Sequence, residues 1–345
     1  MRILGLDLGT PTSKTAASLL DTNTGERQRT MTPTHPSDLM QMVRRWSPQR
    51  VVLEATHATG WVVDLLRALD VEVQVVNPRD PAWVNRTVKT DRQDADLLTM
   101  LSASGQVRTV VIPEAGVRHW RSLISYRQRL VASRTRVKNH IKAILRRQGL
   151  ATGRLWTAEG LANLRTLARP LAECQPADYW RGELDLELQR LADAESHVAT
   201  LSKRLDAIGQ SDARVRLLME QDGVGPRLAE AVVAFIDQPQ RFRTGKQVGA
   251  YAGLAARVHQ SGQISRMGGI TRMGNPVLRS LLVEVAWLAV RREGWMRDVY
   301  TRVARGDPQR RQRAIVAVAR RLLIRLWATL RDGAARPPAR TPVAA

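Results

Sequence analysis

The stretch Lys89-Thr90-Asp91-Arg92-Gln93-Asp94-Ala95-Asp96 places two carboxylates three residues apart where the chain reads as a helix. At that spacing Asp91 and Asp94 face the same way. Two ionised carboxylates side by side repel each other unless a cation lies between them. An oxygen-only site of this kind suits Mg²⁺, which takes one or two carboxylates and completes its shell with water and substrate phosphate. An isolated pair of this sort is usually a solvated helix face. It gains chemical meaning only if other carboxylates are brought to meet it.

Two further carboxylates stand at the ends of apolar strands. Arg2–Leu8 is a short apolar strand that reaches Asp7 near its end, and Arg50–Ala55 is another, with Val51-Val52-Leu53 buried and Glu54 at its end. Between them, Lys14–Leu20 reads as a second strand. The turn-rich Asp21-Thr22-Asn23-Thr24-Gly25 then leads into a third, around Glu26–Met31. Pro36-Ser37-Asp38 opens a helix carrying Leu39, Met40, Met42, Val43 and Trp46. Gly60–Leu69 is helical, Val71–Val76 is a fifth strand, and a helix follows at about Asp91–Ser102. Three strands, helix, strand, helix, strand, helix is the order of the α/β RNase H-like fold, in which carboxylates at such positions converge at one sheet edge. Asp7, Glu54, Asp91 and Asp94 all fall there, which is far more specific than any one of them alone.

The 345 residues suffice for two or three domains with a sizeable core, and 43% are hydrophobic. Lys and Arg outnumber Asp and Glu by 54 to 32, a net charge of +22 that points to a polyanionic partner. No apolar run is long enough to span a bilayer. The N-terminus reads as a strand and not as a signal peptide. The single cysteine, Cys174, excludes an intrachain disulfide framework and a cysteine-based zinc site. These features predict a cytoplasmic protein with no membrane partner.

Residues 113–148 read as one long basic helix with an apolar stripe. Arg127, Arg134, Lys138, Lys142 and Arg146 are among the cations covering the rest, and almost no acids intervene. Such a helix is expected to track phosphates, of RNA or of DNA. Over 183–208, Leu184, Leu188, Leu191, Val198, Leu201, Leu205 and Ile208 recur in alternating threes and fours. That is coiled-coil spacing, serving either a local helical hairpin or, as we expect, a seam between copies.

Further on, Asp222-Gly223-Val224-Gly225-Pro226 separates two short helices. Gly223 and Gly225 permit a tight turn and close approach, and the helix start at Pro226 can hold a phosphate. The pattern resembles a helix-hairpin-helix element, a sequence-neutral grip on a nucleic-acid backbone. Residues 244–280 are rich in Gly and Arg, including Arg266 and Arg272, and place Ser261-Gly262 in an expected loop. A serine there could act as a nucleophile if a cation stabilised the phosphate it attacks, and Ser265 competes with Ser261 for that role. The chain closes with two helices, Leu278–Arg291 and Gln309–Arg331, expected to serve the core. The Ala/Pro/Arg-rich tail 333–345 is expected to be disordered.

Three stretches taken together resemble one family. They are Lys89–Asp96, Asp222–Pro226, and Tyr251-Ala252-Gly253-Leu254 through Ser261-Gly262 to Gly269-Ile270-Thr271-Arg272-Met273-Gly274-Asn275-Pro276. The chain resembles, from Asp7 to about Arg292, the DEDD transposases of the bridge-RNA-guided insertion sequences. The resemblance implies a RuvC-like catalytic domain over 1–112, with Asp7, Glu54, Asp91 and Asp94 binding Mg²⁺ or Mn²⁺. It implies a basic helical and coiled-coil region over 113–210, serving dimerisation. It implies a C-terminal transposase domain over 211–332 whose nucleophile is Ser261. That serine would form a phosphoserine link to DNA and free a 3′-OH for strand exchange. The implied partners are donor and target DNA, a structured noncoding guide RNA, and further copies of the chain: a dimer, and a tetramer in the synaptic complex. The implied setting is the bacterial cytoplasm, at the nucleoid. Three departures stand out: Leu8–Lys14 is longer than the family's usual link, His57-Ala58 after Glu54 stands where small glycines are common, and Gln260 occupies a place where a second serine is frequent.

Two other activities fit part of this pattern. A metal-dependent, structure-specific RuvC-like nuclease would use the same carboxylates without serine chemistry. A sugar-kinase-like ATPase would explain Asp7-Leu8-Gly9-Thr10, but a net charge of +22 suits a small-molecule kinase poorly.

Overall fold

The computed structural model describes residues 1–78, 90–261 and 264–334, which fall into two compact units, Met1–Arg118 and His119–Ala345.

The first unit is built on a mixed five-stranded sheet. Its strands are β1 (Arg2–Asp7), β2 (Lys14–Asp21), β3 (Arg27–Pro33), β4 (Arg50–Glu54) and β5 (Glu72–Val76), in the order β3-β2-β1-β4-β5. β1, β2 and β3 pair antiparallel, whereas β1–β4 and β4–β5 are parallel. Parallel neighbours need crossover helices, here α1 (Pro36–Trp46) and α2 (Thr59–Ala68). Side chains alternate across a strand, and the two faces divide accordingly. Leu4, Leu6, Val51 and Leu53 join Leu39, Val43, Val62 and Leu66 of the crossover helices in one core. Ile3, Val52 and Val76 join Leu98 and Leu101 of α3 (Asp91–Ala103) in a second.

The expected strand and helix order of this unit is therefore present, as an α/β unit around a mixed sheet. Beyond β5, Val110 N–H donates to the Val75 carbonyl at 2.8 Å, so the segment leading out of the sheet lies along its edge. The next helix, α4 (Ala115–Arg147), starts against α2: Arg118 pairs with Asp64 and donates to the Pro113 carbonyl at 2.6 Å.

The second unit is mainly helical. The later part of α4 packs with α5 (Ala158–Leu167) and α6 (Tyr179–Ser211) around Val137, Ile141, Ile144, Leu164, Leu184 and Leu191. A larger core unites α7 (Ala213–Met219), α8 (Pro226–Ile236), α9 (Gly245–Tyr251), α10 (Pro276–Ala289), α11 (Trp295–Ala304) and α12 (Arg311–Ala334). The indole N–H of Trp327 donates to the Pro239 carbonyl at 2.8 Å, tying α12 to the segment after α8.

Three expectations are corrected here. Leu184, Leu191, Val198 and Leu205 are buried within the single chain, so the stripe on α6 is one side of an intrachain helical hairpin and not a free seam. The partner helix is α4, whose cations meet the acids of α6: Lys138 pairs with Glu195 at 3.0 Å and Arg147 with Glu183 at 2.6 Å. Second, the region around Ser261, expected to be a loop, is a β-hairpin, β6 (Ala256–Ser261) and β7 (Ile264–Ile270). Third, helix α12 continues through Gly333 to Ala334, where the tail was expected to have begun. Residues 335–345 of that tail lie outside the described residues, as does Lys89. Among the described residues no helix is long and apolar enough to cross a membrane.

Candidate active site

Gly5 decides how the acidic residues of the first unit are grouped. A Cβ on Gly5 would stand 2.2 Å from the carbonyl oxygen of Ala95, so only glycine lets α3 lie this close to the sheet. Further along, Leu98 and Leu101 pack in the cluster that holds Ile3. The helix thus runs against β1, and its first turn stands toward the Asp7 end of that strand. Thr90 caps the helix by accepting the Gln93 N–H, and the acids at Asp91 and Asp94 suit the positive end of the helix dipole.

Strand register brings Asp7 and Glu54 together. Leu6 pairs with Leu53 across parallel strands, so Asp7 and Glu54 are the next residues along, at the same sheet edge. Alternation puts both on the face covered by α3, because Leu6 and Leu53 belong to the opposite core. Asp7, Glu54 and Asp94 are half-buried and Asp91 is exposed. Asp7 and Glu54 thus share one sheet edge and one face, and the first turn of α3, which carries Asp91 and Asp94, stands toward that end of β1.

The third acid of the motif does something else. Asp96 accepts from Ser18 at 2.6 Å and pairs with Arg27 at 2.8 Å and Arg29 at 2.9 Å. Burial by itself would raise this carboxyl, but the hydrogen bonds from Arg29, Ser18 and Arg27 outweigh it and hold Asp96 at about 2. Asp96 is a clamp between α3 and the β2–β3 pair. Its signal was present in the sequence, since Arg27 and Arg29 are two apart on a strand and so share a face.

Ser261 is the last residue of β6 and pairs with Ile264; Ser265 pairs with Gln260 and Arg266 with His259. The expected loop setting of Ser261 is thus replaced by a strand end paired with β7. The side chains of these residues, and Gly262 itself, lie outside the described residues. The base of the hairpin is held by a contact between two glycines. A Cβ on Gly274 would stand 2.2 Å from the Gly253 nitrogen, and Gly253 has a left-handed φ of 69°. Arg272, also left-handed at 55°, donates its backbone N–H to the Gly253 carbonyl at 3.2 Å.

The expected nucleic-acid contacts divide. Arg146 is exposed on α4. Lys138 is engaged with Glu195 and stands over the Trp156 ring, which Lys142 also faces. Arg127 donates to Ser202 at 2.8 Å, and burial, then the nearby Arg227, lowers its pKa. Gly223 has a φ of 78° in the turn between α7 and α8, and Gly225 is the N-cap of α8 without a side-chain cap.

Residues 215–301 match the model described as Transposase IS116/IS110/IS902 family, and residues 4–148 match a DEDD model of the IS110 type, described as Transposase. A probable family 20 transposase of Pseudomonas aeruginosa is 32% identical over 277 residues, covering 80% of this chain and 81% of that one. The transposase for insertion sequence element IS1111A of Coxiella burnetii is 26% identical over 284 residues, covering 81% and 77%. A putative transposase of Sinorhizobium fredii, y4pF/y4sB, is 26% identical over 281 residues, covering 80% and 70%.

An α/β unit built on a mixed sheet, followed by a mainly helical unit, is consistent with a DEDD transposase. The chain belongs to the IS116/IS110/IS902 family of transposases, enzymes that cut and rejoin DNA in transposition.

Proposed function

We propose that this transposase is an RNA-guided recombinase that inserts and excises its element through a serine–DNA intermediate. The observation that carries the reading is the shared sheet edge of Asp7 and Glu54 beneath the first turn of α3, which bears Asp91 and Asp94. That placement is the one expected of an RNase H-like, RuvC-like catalytic domain over 1–112. Among the described residues, no three His, Cys, Asp or Glu side chains form a ready-made metal cage. A Mg²⁺ site does not require one, because one or two carboxylates with water and substrate phosphate complete it. The all-oxygen donor set of Asp7, Glu54, Asp91 and Asp94 fits Mg²⁺ or Mn²⁺. Bound there, the ion would offset phosphate charge and polarise the scissile P–O bond.

Ser261 is the proposed nucleophile. Its Oγ forms a bond to phosphorus as the bond from phosphorus to the 3′ oxygen breaks. The serine proton is given up, and the departing 3′ oxygen takes one up as a free hydroxyl. The phosphoserine keeps the bond energy for rejoining, which recombination needs and hydrolysis does not. The carboxylates and Ser261 belong to different domains, and we propose that two copies of the chain combine theirs in one active centre. A structured noncoding guide RNA specifies donor and target DNA, a role supported by the net charge of +22 and the resemblance described above. Arg134, Arg146 and Lys142 of α4 contact nucleic acid in this reading, with Arg266, Arg272 and the Gly223–Gly225 turn serving the C-terminal domain.

The test is Ser261→Ala. Cleavage and the covalent protein–DNA adduct should vanish together, while Ser265→Ala retains both. Full cleavage by Ser261→Ala would overturn the serine mechanism and favour a hydrolytic nuclease. Sequencing the RNA that co-purifies with the protein tests the guide: a single RNA encoded beside its gene is expected, and random host RNA would refute guidance.

A further inference from the structure

A cavity of about 930 Å³ opens between the base of the β6–β7 hairpin and one face of α12. Its hairpin side is formed by Leu254, Gly268, Gly269 and Ile270. Its helix side presents Arg313, Arg320 and Arg321, and Arg272 joins them from the hairpin exit. Among the described residues, the cavity lining includes no acidic residue. Among the described residues, none of these four arginines forms an ion pair with a carboxylate. This contrasts with the arginines of the first unit that meet Asp64 and Asp96.

Four like charges held around one cleft are repulsive until an anion neutralises them. Arg313 and Arg320 are seven residues apart on α12, so they share a face, and Arg320 is fixed by lying across Gly249, 3.1 Å from where a Cβ there would be. The floor between the charges is apolar: Leu254, Val316 and Ile324. An arginine rim over an apolar floor suits a sugar-phosphate strand, with guanidinium groups on phosphates and the floor against sugars and unstacked bases. The volume lies in the range of about 300–1,000 Å³ that takes small ligands, which admits a short run of single strand and not a duplex. The apolar floor also favours deoxyribose, because a 2′-hydroxyl set against it would lose its hydrogen bonds.

We infer that this cleft holds the single DNA strand flanking the cleavage point, and that α12 is a strand-holding element as well as a core helix. The inference rests on Ser261 of the same hairpin being the nucleophile. Holding the strand here keeps a freed end against the hairpin that bears the serine between cleavage and rejoining.

The experiment measures binding alone, in full-length protein carrying Ser261→Ala, without divalent metal, so that no chemistry is required. The probe is a fluorescent single-stranded DNA oligonucleotide, titrated over a series of salt concentrations. Arg313→Gln with Arg321→Gln should weaken binding at least tenfold. Each lost phosphate contact should also flatten the slope of log affinity against log salt by about 0.7. Both positions are exposed, and an unchanged melting temperature confirms folding; Arg313→Lys with Arg321→Lys should restore most of the affinity. Unchanged single-strand affinity and slope, or a loss confined to duplex or RNA probes, would overturn the assignment. Failure of the serine mechanism would show separately, as cleavage by Ser261→Ala with this binding intact.

Discussion

Ser18 donates to Asp96 at 2.6 Å, joining the middle of β2 to the second turn of α3. Two arginines from β3 close on the same carboxylate. The acid nearest in sequence to Asp91 and Asp94, the pair proposed to bind metal, therefore serves to hold the helix that carries them.

Asp96→Ala should cost about 2 kcal/mol or more, because the lowered carboxyl alone is worth roughly that much. The sign follows from the direction of the shift. The contribution is fully present above pH 3.8, the ordinary value, and is lost as pH falls through about 2. Urea denaturation at pH 7 and pH 3 checks both parts, and metal affinity should change far less than stability.

Gly5→Ala should destabilise by about 1–3 kcal/mol through overpacking. The added methyl meets backbone, the Ala95 carbonyl, which cannot swing aside as a side chain would. DNA cleavage should fall even at temperatures where the variant remains folded, since α3 must shift from the sheet edge. Thermal denaturation with a parallel cleavage assay checks this.

Asp7→Asn and Glu54→Gln should each abolish cleavage while leaving DNA binding within a few fold. In the unsubstituted protein Mg²⁺ should raise the melting temperature, because a ligand binding only the folded state stabilises it, by about 1.4 kcal/mol at ten times its Kd. That rise should disappear in Asp7→Asn. Persistence of the full rise would place the ion elsewhere.

Glu230 of α8 gives a pH dependence of the opposite sense to Asp96. It is 2% exposed and lies 3.1 Å from Arg227, yet burial pushes its carboxyl up to about 7 against the pull of Arg227 and Arg127. Stability from this group is fully present below pH 4.5 and is lost as pH rises through about 7. Glu230→Gln should therefore flatten the loss between pH 5 and pH 8, on the order of 2–3 kcal/mol. Equal slopes in the two proteins would contradict this.

The first unit was legible because its signals are local. Apolar runs ending in Asp7 and Glu54, separated by helices of the right length, leave few ways to pair the strands. The hairpin at Ala256–Ile270 was not, because its glycines and arginines read as loop and its pairing depends on contacts at Gly253 and Gly274. The stripe on α6 was read correctly as a helix face, but spacing alone does not say whether the covering helix comes from the same chain. Here the acids of α6 and the bases of α4 decide it. Arg313, Arg320 and Arg321 were passed over for a related reason. On a helix whose other face fills a core, their common target shows only once the hairpin is folded against them.

The clasp between Gly253 and Gly274 has a consequence for how copies of this gene age. At most positions a substitution merely shifts stability, and a copy under weak selection drifts through it. At these two, backbone stands against backbone, and a side chain of any kind meets an immovable neighbour. Drift cannot pass gradually through such a position. A genomic copy that has lost either glycine is best counted as a fossil of the element, whatever the state of its carboxylates and its serine.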